Sequence, residues 1–153
     1  IGTEMKLLKI EKRYPDGRLD VKTEGIGIFK IKKFYSEAPG KLYAGGEIER
    51  INFDLDGDFG MYEEILSRMR ELYQIMNIKK EIPVLDNNFN TYRIAHLIGL
   101  SVEQEFKLLN IFEEKNRQDF ILTHLEKLLP VVIEMEELRK KVQMNGHFRK
   151  GEW

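Results

Sequence analysis

Apolar and charged residues alternate along the first part of the chain, on both sides of a turn at residues 14–18. The segment 5–13 precedes this turn and the segment 19–24 follows it. Pro15 fixes φ at the first turn position, and Gly17 can adopt the positive φ that such a turn requires. The pattern predicts a β-hairpin with one apolar face and one charged face.

Glycine and proline divide the chain after this hairpin. We expect Gly25 and Gly27 to bend the chain into a third strand over residues 28–34, and a Gly-Pro loop to lead to a fourth strand over residues 43–53. Beyond residue 58 the apolar residues recur every three or four positions, which is typical of helices. The predicted fold is therefore α+β.

The helical part divides at recognisable end signals. The first predicted helix covers residues 61–76, follows Asp58 and carries one apolar stripe; a short one covers 91–98 and ends at Gly99. Ser101 and Gln104 form a capping-box pattern for a third helix to about residue 113, whose predicted inward residues are Val102, Phe106, Leu109 and Phe112. Asn116 is predicted to cap a long last helix with a kink at Pro130. Its predicted apolar stripe is Ile121, Leu125, Leu128, Val132, Met135, Leu138 and Val142, and residues 147–153 are predicted to form a loose tail.

Three segments of the first half carry a resemblance to a known family. They are residues 1–10, residues 14–21 with their Asp-Gly turn, and residues 23–31 with the Gly25 bend before Phe29-Lys30-Ile31. Together they resemble the amino-terminal substrate-binding domain of Lon proteases. In the helical half, Leu108-Leu109 followed by Arg117 and a long terminal helix is also similar to that family. The chain departs from the family at Ile28, where Arg is usual, and at Phe106 and Asn110, where Gln and Glu are usual.

The resemblance implies a fold and a function. The fold would be a partial PUA-like antiparallel β-barrel (residues 1–57), lacking its first strands, followed by a helical bundle (residues 58–153) with a long C-terminal helix. The function would be non-catalytic recognition of unfolded or degron-bearing protein segments, linked to ATP-dependent proteolysis. A recognition module of this kind needs no cofactor.

Composition limits the kinds of partner and the cellular compartment that we expect for the chain. No apolar run reaches the roughly 18 residues that a membrane span needs. The chain contains no cysteine, which fits a reducing compartment, and we expect a cytoplasmic location. The formal net charge is −1, and residues 1–57 hold 11 basic and 10 acidic side chains. Neither half has the basic excess that favours nucleic-acid binding, so nucleic acid is not the expected partner.

Patterns that would support catalysis or metal binding are incomplete. Gly40-Lys41 is followed by leucine instead of the Ser or Thr of a P-loop. Ser36, Ser67 and Ser101 lack the context of a catalytic nucleophile. The carboxylates of residues 54–58 fail the calcium-loop template, because Phe59 falls at its Gly position and Ile65 at its Glu position. The histidines are not spaced as metal ligands. We therefore expect no catalytic residue, no metal site, and neither ATPase nor peptidase activity.

Four aromatic residues are the candidate peptide-binding set: Phe34, Tyr35, Tyr43 and Tyr62. Large amphipathic rings can hold an extended apolar segment at modest cost in entropy, and neighbouring strand edges offer backbone hydrogen bonds. The simpler interpretation is that they form core, which is at least as plausible for Tyr62. A second hypothesis is a PUA-like RNA-binding module that uses Lys30, Lys32 and Lys33 with adjacent aromatics. A third is self-association through the long helix.

Overall fold

A computed structural model describes residues 1–146 of the 153-residue chain. The chain divides into two compact units, Ile1–Phe53 and Asp54–Trp153. Three strands form the first unit: β1 (Gly2–Arg13), β2 (Leu19–Tyr35) and β3 (Gly45–Ile51). The second unit contains the helices α1 (Phe59–Ile75), α2 (Val102–Leu109) and α3 (Glu114–Gly146), with single 3-10 turns at Thr91–Arg93 and Ala95–Leu97. This arrangement confirms the predicted α+β class.

The sheet is antiparallel, in the order β1-β2-β3, and it stays open. Its outer strands each have one edge without a partner strand among the described residues, so these residues form no closed barrel. The hairpin turn is where the sequence predicts it: Gly17 has φ 88°, and the Gly17 amide donates to the Tyr14 carbonyl at 3.0 Å. Glycine at this position avoids the clash that a side chain would meet at positive φ.

Gly25 and Gly27 do not bend the chain into a separate strand, and this expectation is wrong. Both lie within β2, which runs through them for 17 residues. They pair with Met5 and Glu4 of β1, and the register shifts by one residue between the two pairs. A Cβ atom at Gly27 would lie 3.3 Å from a carboxylate oxygen of Glu4. The glycines thus make room for side chains crossing from β1, and the bulge at Ile26 absorbs the irregularity.

The hairpin faces alternate as predicted, but the apolar face is exposed. Charged pairs such as Lys6–Glu24 and Lys12–Asp20 occupy one face, and Leu7–Thr23 and Ile10–Val21 occupy the other. Leu7 remains 55% exposed. Of the residues in the sheet unit, all of which the structure describes, Ile28 alone is buried. The sheet unit therefore has almost no core of its own.

The helical unit has a continuous core built on α1 and α3. The predicted stripe of α1 is buried from Tyr62 to Tyr73, and Asp58 caps the helix by accepting a hydrogen bond from the Met61 amide at 2.9 Å. On α3 the core positions are Ile121, Leu125, Leu129 and Val132. The predicted stripe fails beyond Val132, because Met135, Leu138 and Val142 are exposed.

Three further predictions about helices meet different outcomes. The Ser101–Gln104 capping box is present, and α3 continues past Pro130. Asn116 does not cap α3, which already begins at Glu114. The predicted tail lies outside the described residues. None of the described helices, α3 included, has an apolar stretch that could cross a membrane.

The predicted inward face of α2 is wrong at Val102 and Phe106, whereas Leu109 and Phe112 are half-buried. Val102 and Phe106 are 77% and 56% exposed, whereas Leu108 is buried. The helix ends at Leu109, before the predicted end near residue 113, and Leu108 is its one buried residue. Val102 and Phe106 instead line an open groove of about 380 Å³ together with Tyr92 and His96.

Candidate functional site

The four candidate aromatic residues do not lie in one environment. Phe34 and Tyr35 end β2, and Tyr43 lies in the loop before β3, so all three belong to the sheet unit. Phe34 and Tyr43 are 66% and 62% exposed. Tyr62 belongs to the helical unit and is 5% exposed. Phe34 and Tyr43 are therefore the two candidates whose side chains are largely exposed and can contact a peptide.

An apolar row crosses the sheet next to Phe34. In the β2–β3 register, Phe34 lies opposite Gly46, and Ile31 lies opposite Ile48. Directly opposed residues of antiparallel strands share a face, so these side chains lie on one side of the sheet. Ile31 and Ile48 are 46% and 45% exposed. We call Ile31, Phe34 and Ile48 the apolar row.

Two adjacent residues of the loop before β3 also have exposed side chains. Leu42 is fully exposed and Tyr43 largely so. The loop is closed by two backbone hydrogen bonds, from the Ala38 amide to the Tyr43 carbonyl at 2.8 Å and from the Lys41 amide to the Ala38 carbonyl at 2.9 Å. Exposed apolar side chains on a hydrogen-bonded loop can contact a partner without a large ordering cost.

Tyr35 anchors the end of β2 rather than extending freely into solvent. Its hydroxyl donates a short hydrogen bond to the Glu47 carboxylate, and this bond raises the pKa of Tyr35. The Lys33 ammonium lies 5.1 Å from the centre of the Tyr35 ring. Tyr35 thus links β2 to β3 through charged neighbours on both strands.

The lysines of β2 face carboxylates of β3. Lys30 lies opposite Glu49, and Lys33 lies opposite Glu47. The Lys32 ammonium lies 2.5 Å from a Glu49 carboxylate oxygen, and its hydrogen bond lowers the pKa of Glu49. Alternating signs give this face no coherent positive potential of the kind that phosphate backbones bind.

Tyr62 belongs to a buried polar network that the sequence did not reveal. Its hydroxyl donates to the Glu114 carboxylate at 2.6 Å, and burial and this hydrogen bond raise its pKa. The same carboxylate accepts from the Thr91 amide at 2.6 Å and from the Thr91 hydroxyl at 3.0 Å. Glu114 and Thr91 are both fully buried. The geometry makes Tyr62 a core residue.

Arg117 completes this network from the next turn of α3. Its Nε donates to Glu114 at 2.8 Å, and its side chain is fully buried. The other guanidinium nitrogens donate to the backbone carbonyls of Ile111 at 2.7 Å and of Asp54. The guanidinium carbon lies 4.5 Å from the centre of the Tyr92 ring. The network ties α3 to the segments that precede α1 and α3.

Neighbouring polar groups also perform structural tasks. Gln118 is fully buried and bonds both backbone groups of Asp58, accepting from the amide and donating to the carbonyl at 2.8 Å each. The only sequence signal for these buried residues is their spacing along the chain. Glu114 and Arg117 are three residues apart and recur at helical spacing with the buried positions Gln118, Ile121 and Leu125 of α3. Their hydrogen bonds are made within the fold, which favours a role in stability over one in chemistry.

The described residues contain no group of three or more His, Asp or Glu side chains that could hold a metal ion. Ser101 is occupied as a helix cap, where its hydroxyl donates to Glu103 at 2.8 Å. His124 lies between the Ile98 carbonyl at 3.0 Å and the Gln104 amide at 3.3 Å. These geometries give both side chains structural roles.

Comparison with known proteins shows a distant relationship. No family model matches the chain. A Lon protease of Amoebophilus asiaticus (strain 5a2) is 28% identical over 158 aligned residues. The alignment covers 96% of this chain but 18% of that protease. The chain is thus similar, over nearly its whole length, to a segment that makes up less than a fifth of a Lon protease.

Proposed function

We propose that the chain is a Lon-related recognition module that binds exposed apolar segments of unfolded or degron-bearing proteins, without catalysing a reaction itself. The observation that carries the proposal is the apolar row, three exposed side chains on one side of the sheet, together with the exposed Leu42 and Tyr43 of the loop that leads into β3. Exposed apolar clusters of this kind mark interaction surfaces.

The relationship to a Lon protease supports the same proposal. The relative is named as a protease, and the chain corresponds to a small segment of it. The sheet unit carries exposed apolar side chains, whereas the buried polar groups of the helical unit make hydrogen bonds within the fold. In the finer form of the proposal, this segment is the amino-terminal, PUA-like substrate-binding type of domain and acts with an ATP-dependent protease in the cytoplasm.

The test is a titration with a reduced, carboxymethylated protein that cannot fold. We expect weak binding that changes little between low and high salt, because apolar contacts dominate. A Phe34→Ala/Tyr43→Ala variant should bind about tenfold more weakly, which corresponds to about 1.4 kcal/mol. Phe106→Ala, which truncates an exposed aromatic residue of the helical unit, should bind like the parent chain.

RNA is the alternative outcome of the same titration. Binding to single-stranded RNA that falls steeply with salt, combined with no response to the unfolded protein, would overturn the proposal and favour RNA recognition. The paired lysines of β2 give this alternative no particular support.

A second candidate role, self-association, is favoured by the exposed side of α3. Val131, Met135, Leu138 and Val142 are all more than half exposed and are spaced four, three and four residues apart. This spacing matches the apolar seam of a coiled coil. Light scattering should show an oligomer that a Leu138→Lys variant dissociates. A monomeric parent chain at micromolar concentration would rule this role out.

A further inference from the structure

One side of α3 is covered by the fold at its beginning and exposed further along. Leu128 packs against the helical core, and Nε2 of His124 lies 3.0 Å from the Ile98 carbonyl oxygen. The next residues on the same side, at spacings of three and four, are each more than half exposed. We call these four residues the seam: Val131, Met135, Leu138 and Val142.

The covered part of α3 limits how the α3 of a second copy can approach the seam. In a parallel pair with identical residues side by side, the segments that cover His124 and Leu128 in each copy would lie where the other helix has to run. In an antiparallel pair, the two covered parts lie at opposite ends of the contact and outside it. Packing therefore favours the antiparallel orientation.

One antiparallel register brings all four seam residues of both copies into contact. Val131 then lies opposite Val142 of the second copy, and Met135 lies opposite Leu138. Every layer between the two helices is apolar, as in the core of a coiled coil.

Charged residues beside the seam favour the same register. Glu134 and Lys141 flank the seam on one side, and in this register Glu134 of each copy lies beside Lys141 of the other. A shift of seven residues in one direction would place Glu134 beside Glu134, and a shift in the other direction would place Lys141 beside Lys141. Like charges at flanking positions disfavour both shifted registers.

Both charged side chains are available for contacts with a second copy. Glu134 and Lys141 are exposed, and neither takes part in an ion pair within the part of the chain that the structure describes. In a parallel coiled coil, Glu134 would instead lie beside Arg139 of the second copy, five positions along. Arg139 already contacts the Glu136 carboxylate at 3.2 Å. The charges thus favour the same orientation as the packing.

From these observations we infer that two copies of the chain associate by antiparallel pairing of α3 over residues 131–142, held in register by contacts between Glu134 and Lys141. The inference rests on the self-association role proposed above and specifies its orientation, register and charge pairing. The paired segment is about 18 Å long, so we expect micromolar rather than nanomolar affinity.

The first test is charge complementation, measured by sedimentation equilibrium. Glu134→Lys and Lys141→Glu each create two like-charge pairs in their own dimer, and each should weaken association roughly tenfold. In a mixture of the two variants, every like-charge pair is replaced by an opposite-charge pair. The mixture should therefore associate about as tightly as the parent chain, and high salt should reduce all these differences.

Matched control variants carry the same charge changes elsewhere on α3. Glu126→Lys and Lys140→Glu alter exposed residues that lie away from the seam. Both should associate like the parent chain. Circular dichroism checks that each variant keeps its helical signal.

The second test uses single cysteines, since the chain contains none of its own. In the antiparallel pair, position 131 of one copy lies opposite position 142 of the other, whereas the two positions 131 are about 16 Å apart along the helix axis. Under mild oxidation, a mixture of Val131→Cys and Val142→Cys should form a disulfide-linked heterodimer. Neither variant alone should cross-link with itself, whereas a parallel pair would give the reverse result.

The outcomes separate this inference from the role on which it rests. A dimeric parent chain whose two charge variants do not complement each other would refute the antiparallel register and leave self-association standing. Efficient cross-linking of either cysteine variant with itself would have the same meaning. A parent chain that stays monomeric at micromolar concentration would refute both the inference and the role.

Discussion

Glu114 is the residue whose removal should damage the helical unit most. Its carboxylate accepts from Tyr62, from Thr91 and from Arg117, and neither Glu114 nor Arg117 is accessible to solvent. Glu114→Ala therefore leaves a buried guanidinium without its counter-ion and leaves buried donors without an acceptor.

The expected loss follows from these contacts. Breaking a buried ion pair by removing one partner costs on the order of 3–5 kcal/mol. Each buried donor left unpaired adds about 1–3 kcal/mol, although contributions within one network are not additive. We take about 4 kcal/mol as the expected decrease in the free energy of unfolding. This is a large part of the roughly 5–15 kcal/mol by which a domain is stable.

The assay is urea unfolding followed by the helical signal in circular dichroism. With a urea dependence of about 1.5–2 kcal/mol per molar, the midpoint should fall by about 2–3 M. Glu113→Ala is the control, because Glu113 is exposed and its carboxylate accepts from Asn116 at 2.6 Å. It should cost less than about 1 kcal/mol.

A double variant examines the charge itself. Glu114→Ala combined with Arg117→Met removes the stranded guanidinium, so the double change should cost clearly less than the sum of the two single changes. If Glu114→Ala shifted the midpoint no further than Glu113→Ala does, the buried network would not stabilise the fold and the reasoning would fail.

Three further predictions concern stability. The first is measured by amide exchange in β1 and β2, because the helical signal does not report on the sheet unit, and the other two by the same unfolding measurement. Gly17→Val should destabilise the hairpin by roughly 1–2 kcal/mol and Gly17→Asn by much less, because a β-branched residue fits poorly at φ 88°; equal losses would contradict the turn geometry. Gly57→Ala should cost about 1–3 kcal/mol, since its Cβ would lie 2.3 Å from the Tyr62 hydroxyl, and an unchanged midpoint would show that this site can relax. The pKa of Tyr62 is raised in the folded state, so folded Tyr62 keeps its proton at a pH where unfolded tyrosine, with a pKa of about 10, has lost it. The stabilisation is therefore fully present below about pH 10, and the free energy of unfolding falls by up to about 1.4 kcal/mol per pH unit as the pH rises further. Tyr62→Phe should make this alkaline decline less steep, and an identical slope would count against the burial of the hydroxyl.

The sequence predicts best where one local signal dominates. The stripe of α1, the Ser101 capping box and the positive φ of Gly17 each depend on a few adjacent residues. The bend predicted at Gly25 and Gly27 is wrong because glycine occurs both at bends and where a neighbouring strand approaches closely. Only the pairing of β2 with β1 distinguishes these uses, and that pairing is a long-range property.

Buried charge is the main feature that sequence reasoning missed. Glu114 and Arg117 look like solvent-exposed helix residues, because charged side chains are rarely buried unless they are paired. Their pairing with Thr91 and Tyr62 connects positions more than 20 residues apart. Among the candidate site residues, the exposure of Phe34 and Tyr43 and the burial of Tyr62 likewise depend on tertiary packing, which periodicity alone does not give.

The nearly coreless sheet has a consequence for how the chain responds to heat and denaturant. Hydrogen-bonded strands without buried side chains open at low free-energy cost, whereas a packed helical core opens only near the global limit. Ile28 is the one buried side chain of the sheet unit. The two units should therefore lose structure at different temperatures, so calorimetry should record a transition broader than a single all-or-none step. A ligand that binds only the folded sheet would raise the temperature of the first of the two transitions, because it stabilises that unit alone.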